Sequence, residues 1–473
     1  MLRMTRWLIV VFLVAGIAPA LAATRALPPA VLAALDRAKV PREALVAVVQ
    51  DVQSASPRLS WQAERPVNPA SLMKLVTTDA ALELLGPAWT WTTPVWLAGP
   101  VNEGVLDGHL AIRGSGDPKL VMERVWLMLR RVQQLGVREI RGDIVIDRSL
   151  FQAAEQNPGD FDGEALRPHN VQADALLMNY RSVLMTFTPD PARGIATVAV
   201  DPPLAGVQAD ATVPLTDAPC EDWRGALKGE FTDPARLRFA GGYAAACGER
   251  QWPLAYVDPR SYNERLLRGL WREMGGTLHG TVREGAAPAT PPSFVLTSPP
   301  LAEVIRDINK FSNNAMAQQL FLTLAATQRG TGSVEHARDV LHEWLSARFG
   351  VLAQGTVIDN GSGLSRHGRT TAGLLARLLH AAWASPSMPE LVSSLPLIGV
   401  DGTMVRTKGV PGRAHLKSGS LRDVSGLAGY VLSHSGRRYV MVGIVNHPNA
   451  GAARPALEAL VQWAANDGGT AAP

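Results

Sequence analysis

The segment LPPAVLAALDRA spaces its apolar residues along one helix face. ALVAVVQDVQS and RLSWQAER, parted by the turn residues SASP, read as two strands. SLMKLVTTDAALELLG follows with apolar residues at helical positions and is stopped by Gly86-Pro87. Towards the other end, RAHLKSGSL, GLAGYVLS and RRYVMVGIVN predict three strands, joined by RDVS and by the tight HSGR turn, and ARPALEALVQWAAN predicts a closing helix. Early and late segments share this pattern, so one antiparallel sheet built from both ends and flanked by helices is expected. That is an α+β fold rather than a doubly wound one.

The middle of the chain differs. DGHLAIRGSGDPKL and REIRGDIVIDRSLF carry strand alternation and turn glycines around the helix VMERVWLMLRRVQQLG. From about Tyr180 to Gln251 the sequence turns to Pro, Asp and short Val/Ala runs, a β-rich module. No fixed repeat is visible. At 473 residues the chain exceeds one ordinary core. The expected division is residues 23–97 with 293–473 as one domain, 98–179 with 270–292 as an inserted domain, and 180–269 as a nested β-rich one.

Arg3 and Arg6, the apolar run WLIVVFLVAGI and the small-residue site Ala20-Leu21-Ala22 read as a secretory signal over residues 1–22. The run is short for a spanning helix, so no stable membrane anchor is expected. Losing Arg3 and Arg6 lowers the formal charge from +4 to +2, too little to argue for nucleic acid. The two cysteines, Cys220 and Cys247, read as a disulfide in an exported chain, with two free buried thiols as the alternative. Neither a zinc site nor a cofactor is expected: HEWLS at His342 lacks the second histidine of HExxH. Oligomeric state is not legible.

Three short stretches carry candidate chemistry. In NPASLMKLV, Lys74 follows Ser71 by three positions, so on a helix both project from one face. Lysine is scarce, seven against 39 arginines, and only lysine can lose its proton to serve as a base. A neutral amine within reach takes the serine proton as the hydroxyl attacks a carbonyl. In KFSNNAMAQQLF, Ser312 or Asn313 suits a helix cap; the functional reading makes Ser312 a proton relay and Asn314 a clamp on Lys74 and a substrate amide. In HLKSGSL, Lys417 and the hydroxyls of Ser418 and Ser420 lie on an edge-like strand, where Gly419 admits a substrate backbone. Each stretch alone is more simply an exposed helix pair, a cap or a solvent-facing strand.

Taken in this order, the three match the S-x-x-K, S-D-N and K-T-G set. With RGDIVIDRSLF, DNGSGLSRHGRTT and SLPLIGVDGTM, the chain resembles the class C low-molecular-mass penicillin-binding proteins, D-alanyl-D-alanine carboxypeptidases and endopeptidases. The resemblance spans nearly the whole mature chain. Lys74 and Ser312 lie 238 positions apart, in keeping with the two nested insertions of that family. It implies a β-lactamase/transpeptidase-like core, peptidoglycan stem peptides as substrate, β-lactams as covalent inhibitors and a periplasmic location.

By position, the resemblance makes Ser71 the nucleophile and Lys74 its base. Ser312 and Asn314 become relay and substrate clamp, and Lys417, Ser418 and Ser420 receive the terminal carboxylate. The N–H groups of Ser71 and Ser420 form the oxyanion hole. Asn313 replaces the usual Asp and Ser418 the commoner Thr. Arg366, in GSGLSR, reads as a partner for a stem carboxylate or as a surface residue. Asp160, Asp162 and Glu164 read as a solvated loop, with a contact to a stem ammonium as the alternative. A β-lactamase has no need of the insertion, an esterase would carry G-x-S-x-G, and a scaffold would need neither Ser71 nor Lys74.

Overall fold

The computed structural model describes residues 26–152 and 157–469. The expected signal, residues 1–22, lies outside them. Both ends of the chain build one antiparallel sheet from β1 (Leu45–Asp51), β2 (Leu59–Trp61), β3 (Ala414–Leu421), β4 (Val424–Leu432) and β5 (Arg438–Asn446), in the order β2-β1-β5-β4-β3. The register from Leu45↔Val445 to Asp51↔Tyr439 seats the early strand against the late hairpin. RLSWQAER forms a strand over only three residues, because Gln62 adopts φ 46° and turns the chain off the ladder.

The sheet is buried on both faces, which is why β1, β4 and β5 read as nearly continuous apolar runs. The helices of this core include α1 (Pro29–Arg37), α2 (Met73–Leu84), α3 (Leu301–Lys310), α4 (Asn314–Arg329), α5 (Val334–Phe349), α6 (Ala372–Trp383) and α7 (Arg454–Ala465). Leu45, Leu427 and Met441 face α1 and α7, where Leu35 and Leu460 meet them. One residue along, Val46, Ala428 and Val442 face α2 and α6, against Leu75 and Leu375. Period-two alternation thus sends successive side chains to two different helical layers.

Between Trp91 and Ser298 most of the chain leaves this core, and Phe151, Ala173 and Ala175 return to it. Thr92–Ala98, His109–Arg113, Ile144–Asp147, Val282–Glu284 and Phe294–Thr297 form a second sheet. Thr92–Ala98 and Phe294–Thr297, at the ends expected at 97 and 293, pair with each other, Val95 opposite Phe294, so both strands lie in this second sheet. A third sheet comprises Ser182–Asp190, Ile195–Asp201, Thr212–Thr216, Tyr243–Ala244 and Arg250–Ala255, and Cys220 and Cys247 form a disulfide beside it. One apolar cluster runs from Leu110 and Ile144 through Phe187 to Tyr243, so the inner module shares its core with the outer. Gln319 of α4 docks the insertion on the first core: it accepts from the Asp174 N–H at 2.8 Å and donates to the Asp174 carbonyl at 2.9 Å.

Candidate active site

Ser71 stands in a single 3-10 turn, Ala70–Leu72, that leads into α2. Ala70 before it takes φ 48°, a costly conformation for a residue with a Cβ. Asn68 holds the turn: its Oδ1 accepts from the Ala70 N–H at 2.9 Å, and its own backbone is paired in both directions with the Asn446 amide.

Lys74 has no solvent exposure. Its Nζ lies 3.0 Å from Ser71 Oγ, 2.6 Å from Asn314 Oδ1 and 2.6 Å from the Ser362 carbonyl. Burial, and after it the charge of Lys417, push the amine well below its ordinary value. A neutral amine has two N–H donors and one lone pair. Asn314 Oδ1 and the Ser362 carbonyl can only accept, so they take the two donors. The Ser71 hydroxyl is left to donate to the lone pair, the arrangement a general base requires.

The Ser362 carbonyl is supplied by the glycine-rich loop after α5. Asn360 Oδ1 accepts from the Ser362 N–H at 3.1 Å, its hydroxyl at 2.9 Å and the Gly363 N–H at 3.2 Å. Gly363 has φ 77°, and a Cβ there would lie 1.9 Å from the Ala70 carbonyl. The loop therefore packs directly against the turn that carries Ser71.

Across the cleft, Lys417 is fully buried on β3, not solvent-facing, although β3 is an edge of the sheet. Its Nζ donates to Ser312 Oγ at 2.9 Å and to the Ser418 carbonyl at 2.8 Å, and burial pushes its pKa down to about 7. The Ser418 and Thr403 hydroxyls are 2.7 Å apart. The Leu416 N–H donates outward to the Pro396 carbonyl. Strand parity therefore turns the Ser418 and Ser420 N–H groups off the same open edge, away from β4. Gly419 differs from its expected use: a Cβ there would lie 2.7 Å from the Pro69 carbonyl, so the backbone it admits is the protein's own, ahead of Ser71.

Ser71, Lys74, Asn314, Ser312 and Lys417 thus converge, with Ser418 and Ser420 along the edge. Asn313 caps α4 through the Met316 N–H. Asn314 Nδ2 donates to the His169 carbonyl at 3.1 Å, bringing the insertion to the site. Arg366 lies 4.7 Å over the Phe161 ring and 3.6 Å from Asp423. Asp162 accepts from the Asn170 amide and pairs with His169, and Glu164 pairs with Arg167, so both have partners within the loop. Asp160, Phe161 and Arg366 line a cavity of about 520 Å³. Asn68, Ser362 and Thr403 were not anticipated. The last two lie within DNGSGLSRHGRTT and SLPLIGVDGTM, which was the available signal.

A hydroxyl against a buried lysine, a second Ser-x-Asn and a buried lysine on an edge strand define the serine acyl-enzyme class that includes penicillin-binding proteins. The model of the D-Ala-D-Ala carboxypeptidase 3 (S13) family matches residues 31–467, and the chain belongs to that family. It is 29% identical to a D-alanyl-D-alanine carboxypeptidase of Actinomadura sp. (strain R39) over 87% of this chain and 79% of that one. The fold is similar to penicillin binding protein 4 from Haemophilus influenzae, with TM-score 0.74, 21% identity and coverage of 92% and 98%. It is also similar to a predatory endopeptidase from Bdellovibrio bacteriovorus in complex with an immunity protein, with TM-score 0.55, 16% identity and coverage of 90% and 93%.

Proposed function

We propose that the protein is a serine D-Ala-D-Ala carboxypeptidase and D,D-endopeptidase acting on peptidoglycan stem peptides and cross-links, and a target of β-lactams. The observation that carries this reading is the buried Lys74 amine 3.0 Å from Ser71 Oγ. Ser71 attacks the penultimate D-alanine carbonyl while Lys74 takes its proton, and the Ser71 and Ser420 N–H groups receive the oxyanion, a contribution of about 10²–10³ in rate per donor. Lys417 and Ser418 hold the terminal carboxylate. Ser312 relays to the departing amine the proton that Lys74 took from Ser71, which leaves Lys74 neutral to take a proton from the water that attacks the acyl group and return it to Ser71, while Asn314 holds Lys74 and the substrate amide. Water then releases the acyl group. A leaving D-centre from a cross-link makes the same chemistry an endopeptidase.

Residues 26–91 and 298–469 form the catalytic part of this reading, and residues 1–22 its export signal to the periplasm. Among the described residues no helix is long and apolar enough to cross a membrane. Arg366 and Asp160, at the rim of the cavity beside the site, are assigned to the carboxylate and ammonium of the stem side chain. Incubation with a stem pentapeptide and a cross-linked muropeptide tests the reading. D-Alanine release and cross-link cleavage, both abolished in Ser71→Ala, are the expected result; a wild type inert on both would overturn it.

A further inference from the structure

Lys310 ends α3 and is nearly buried, while its neighbour Phe311 is 68% exposed. Lys310 Nζ donates to Asp401 Oδ2 at 2.5 Å, and Asp401 Oδ1 accepts from the Leu397 N–H at 2.7 Å. The pair joins two segments that have no contact in sequence. Ser312 stands two residues after Lys310 and Thr403 two residues after Asp401. Ser312 bonds the Lys417 amine and Thr403 the Ser418 hydroxyl. Each end of the ion pair therefore leads, over two residues, to one side of the Lys417–Ser418 dipeptide.

The backbone between leaves little freedom. Ser312 takes φ 55° and Gly402 φ 54°, and a Cβ on Gly402 would lie 2.4 Å from the Lys310 carbonyl. A left-handed serine persists only where its surroundings over-determine it. Here Asn313 caps α4 on one side of Ser312 and Lys310 is tied to Asp401 on the other. Lys310 is enclosed while Asp401 keeps 34% of its side chain exposed, so solvent screening leaves the pair little to add to stability.

We propose that the Lys310–Asp401 ion pair is a positioning device for the carboxylate-binding end of the cleft: it fixes Ser312 and Thr403 on the two sides of Lys417–Ser418, and so fixes the preference for a free terminal carboxylate. This rests on the reading of Lys417 and Ser418 as the carboxylate receptors. Neither Lys310 nor Asp401 touches the reacting atoms; both act through the hydroxyls they place.

The test compares a peptide ending in D-Ala-D-Ala with the same peptide as its C-terminal amide, in the wild type, Lys310→Met, Asp401→Asn and Lys310→Arg. Asp401→Asn is isosteric and keeps the acceptor for Leu397, which guards against loss of fold. In Lys310→Met and Asp401→Asn, kcat/KM for the acid should fall about 10- to 100-fold, chiefly through KM, with the amide changed less than about 2-fold. Lys310→Arg should recover most of the loss. Equal losses on both peptides, or no loss on either, in a wild type that releases D-alanine would overturn the positioning role alone. A wild type that releases none would overturn the hydrolase reading and this inference with it.

Discussion

Among the described residues, Ser71 Oγ is the only partner of the Lys74 amine able to give it a proton; Asn314 Oδ1 and the Ser362 carbonyl, both at 2.6 Å, can only accept. With Lys74 neutral, as the proposed mechanism requires, the serine is aimed at the amine before any substrate arrives. The first prediction follows. Lys74→Arg keeps a cation at the position but cannot lose its proton at accessible pH. Acylation by benzylpenicillin should slow by about 10²–10⁴-fold, the usual contribution of a general base, as followed by intact mass over time.

The two lysines set opposite limbs of the pH profile. In the proposed mechanism Lys74 is neutral, and Lys417 is charged to hold a carboxylate. With Lys417 pushed down to about 7 by burial, kcat/KM for a peptide with a free carboxylate should fall as pH rises through about 7. Bound carboxylate favours the charged amine, so the limb in kcat should lie at higher pH. A peptide amide should lack this limb in both parameters.

Gly363 permits the loop that presents Ser362 to lie on the nucleophile turn. Gly363→Ala places a Cβ 1.9 Å from the Ala70 carbonyl at a backbone φ of 77°. The overpacking should cost about 1–3 kcal/mol, seen as a lower Tm. Because the displaced group carries Ser71, benzylpenicillin acylation should slow as well.

Asp79 of α2 is 1% exposed, and its Oδ2 has no hydrogen-bond partner among the described residues. Burial, then the charge of Glu83, push its carboxyl up to about 7, against about 3.9 in an unfolded chain. The folded state therefore holds this proton more tightly. Its contribution to stability is complete below the unfolded pKa and is lost as pH rises from about 4 to about 7. Asp79→Asn should be more stable than the parent at pH 8 by ~2–4 kcal/mol and no more stable at pH 4, as read from denaturant melts.

The sheet of the first core was legible because alternation and turn residues mark β1 and the β3–β5 strands locally. Ser71 and Lys74 were legible as a pair because three positions along a helix is a contact. Ser312, Asn314 and Lys417 gained meaning only from their order, since a cap and a strand lysine are ordinary features. The Ser362 contribution is a carbonyl, which every residue has, so nothing in its side chain announces it. Gly419 was read as room for substrate because its true neighbour, Pro69, is 350 positions earlier. The pairing of Thr92–Ala98 with Phe294–Thr297 was hidden for a similar reason, since neither strand carries a local sign of the other.

The central claim is that Ser71 is an acyl-enzyme nucleophile activated by Lys74. Intact mass of the mature protein after benzylpenicillin treatment, beside Ser71→Ala, tests it most directly. One long-lived adduct that maps to the Ser71 peptide and is absent from the variant is the result predicted. No adduct in the wild type, or an adduct that survives in Ser71→Ala, would contradict it.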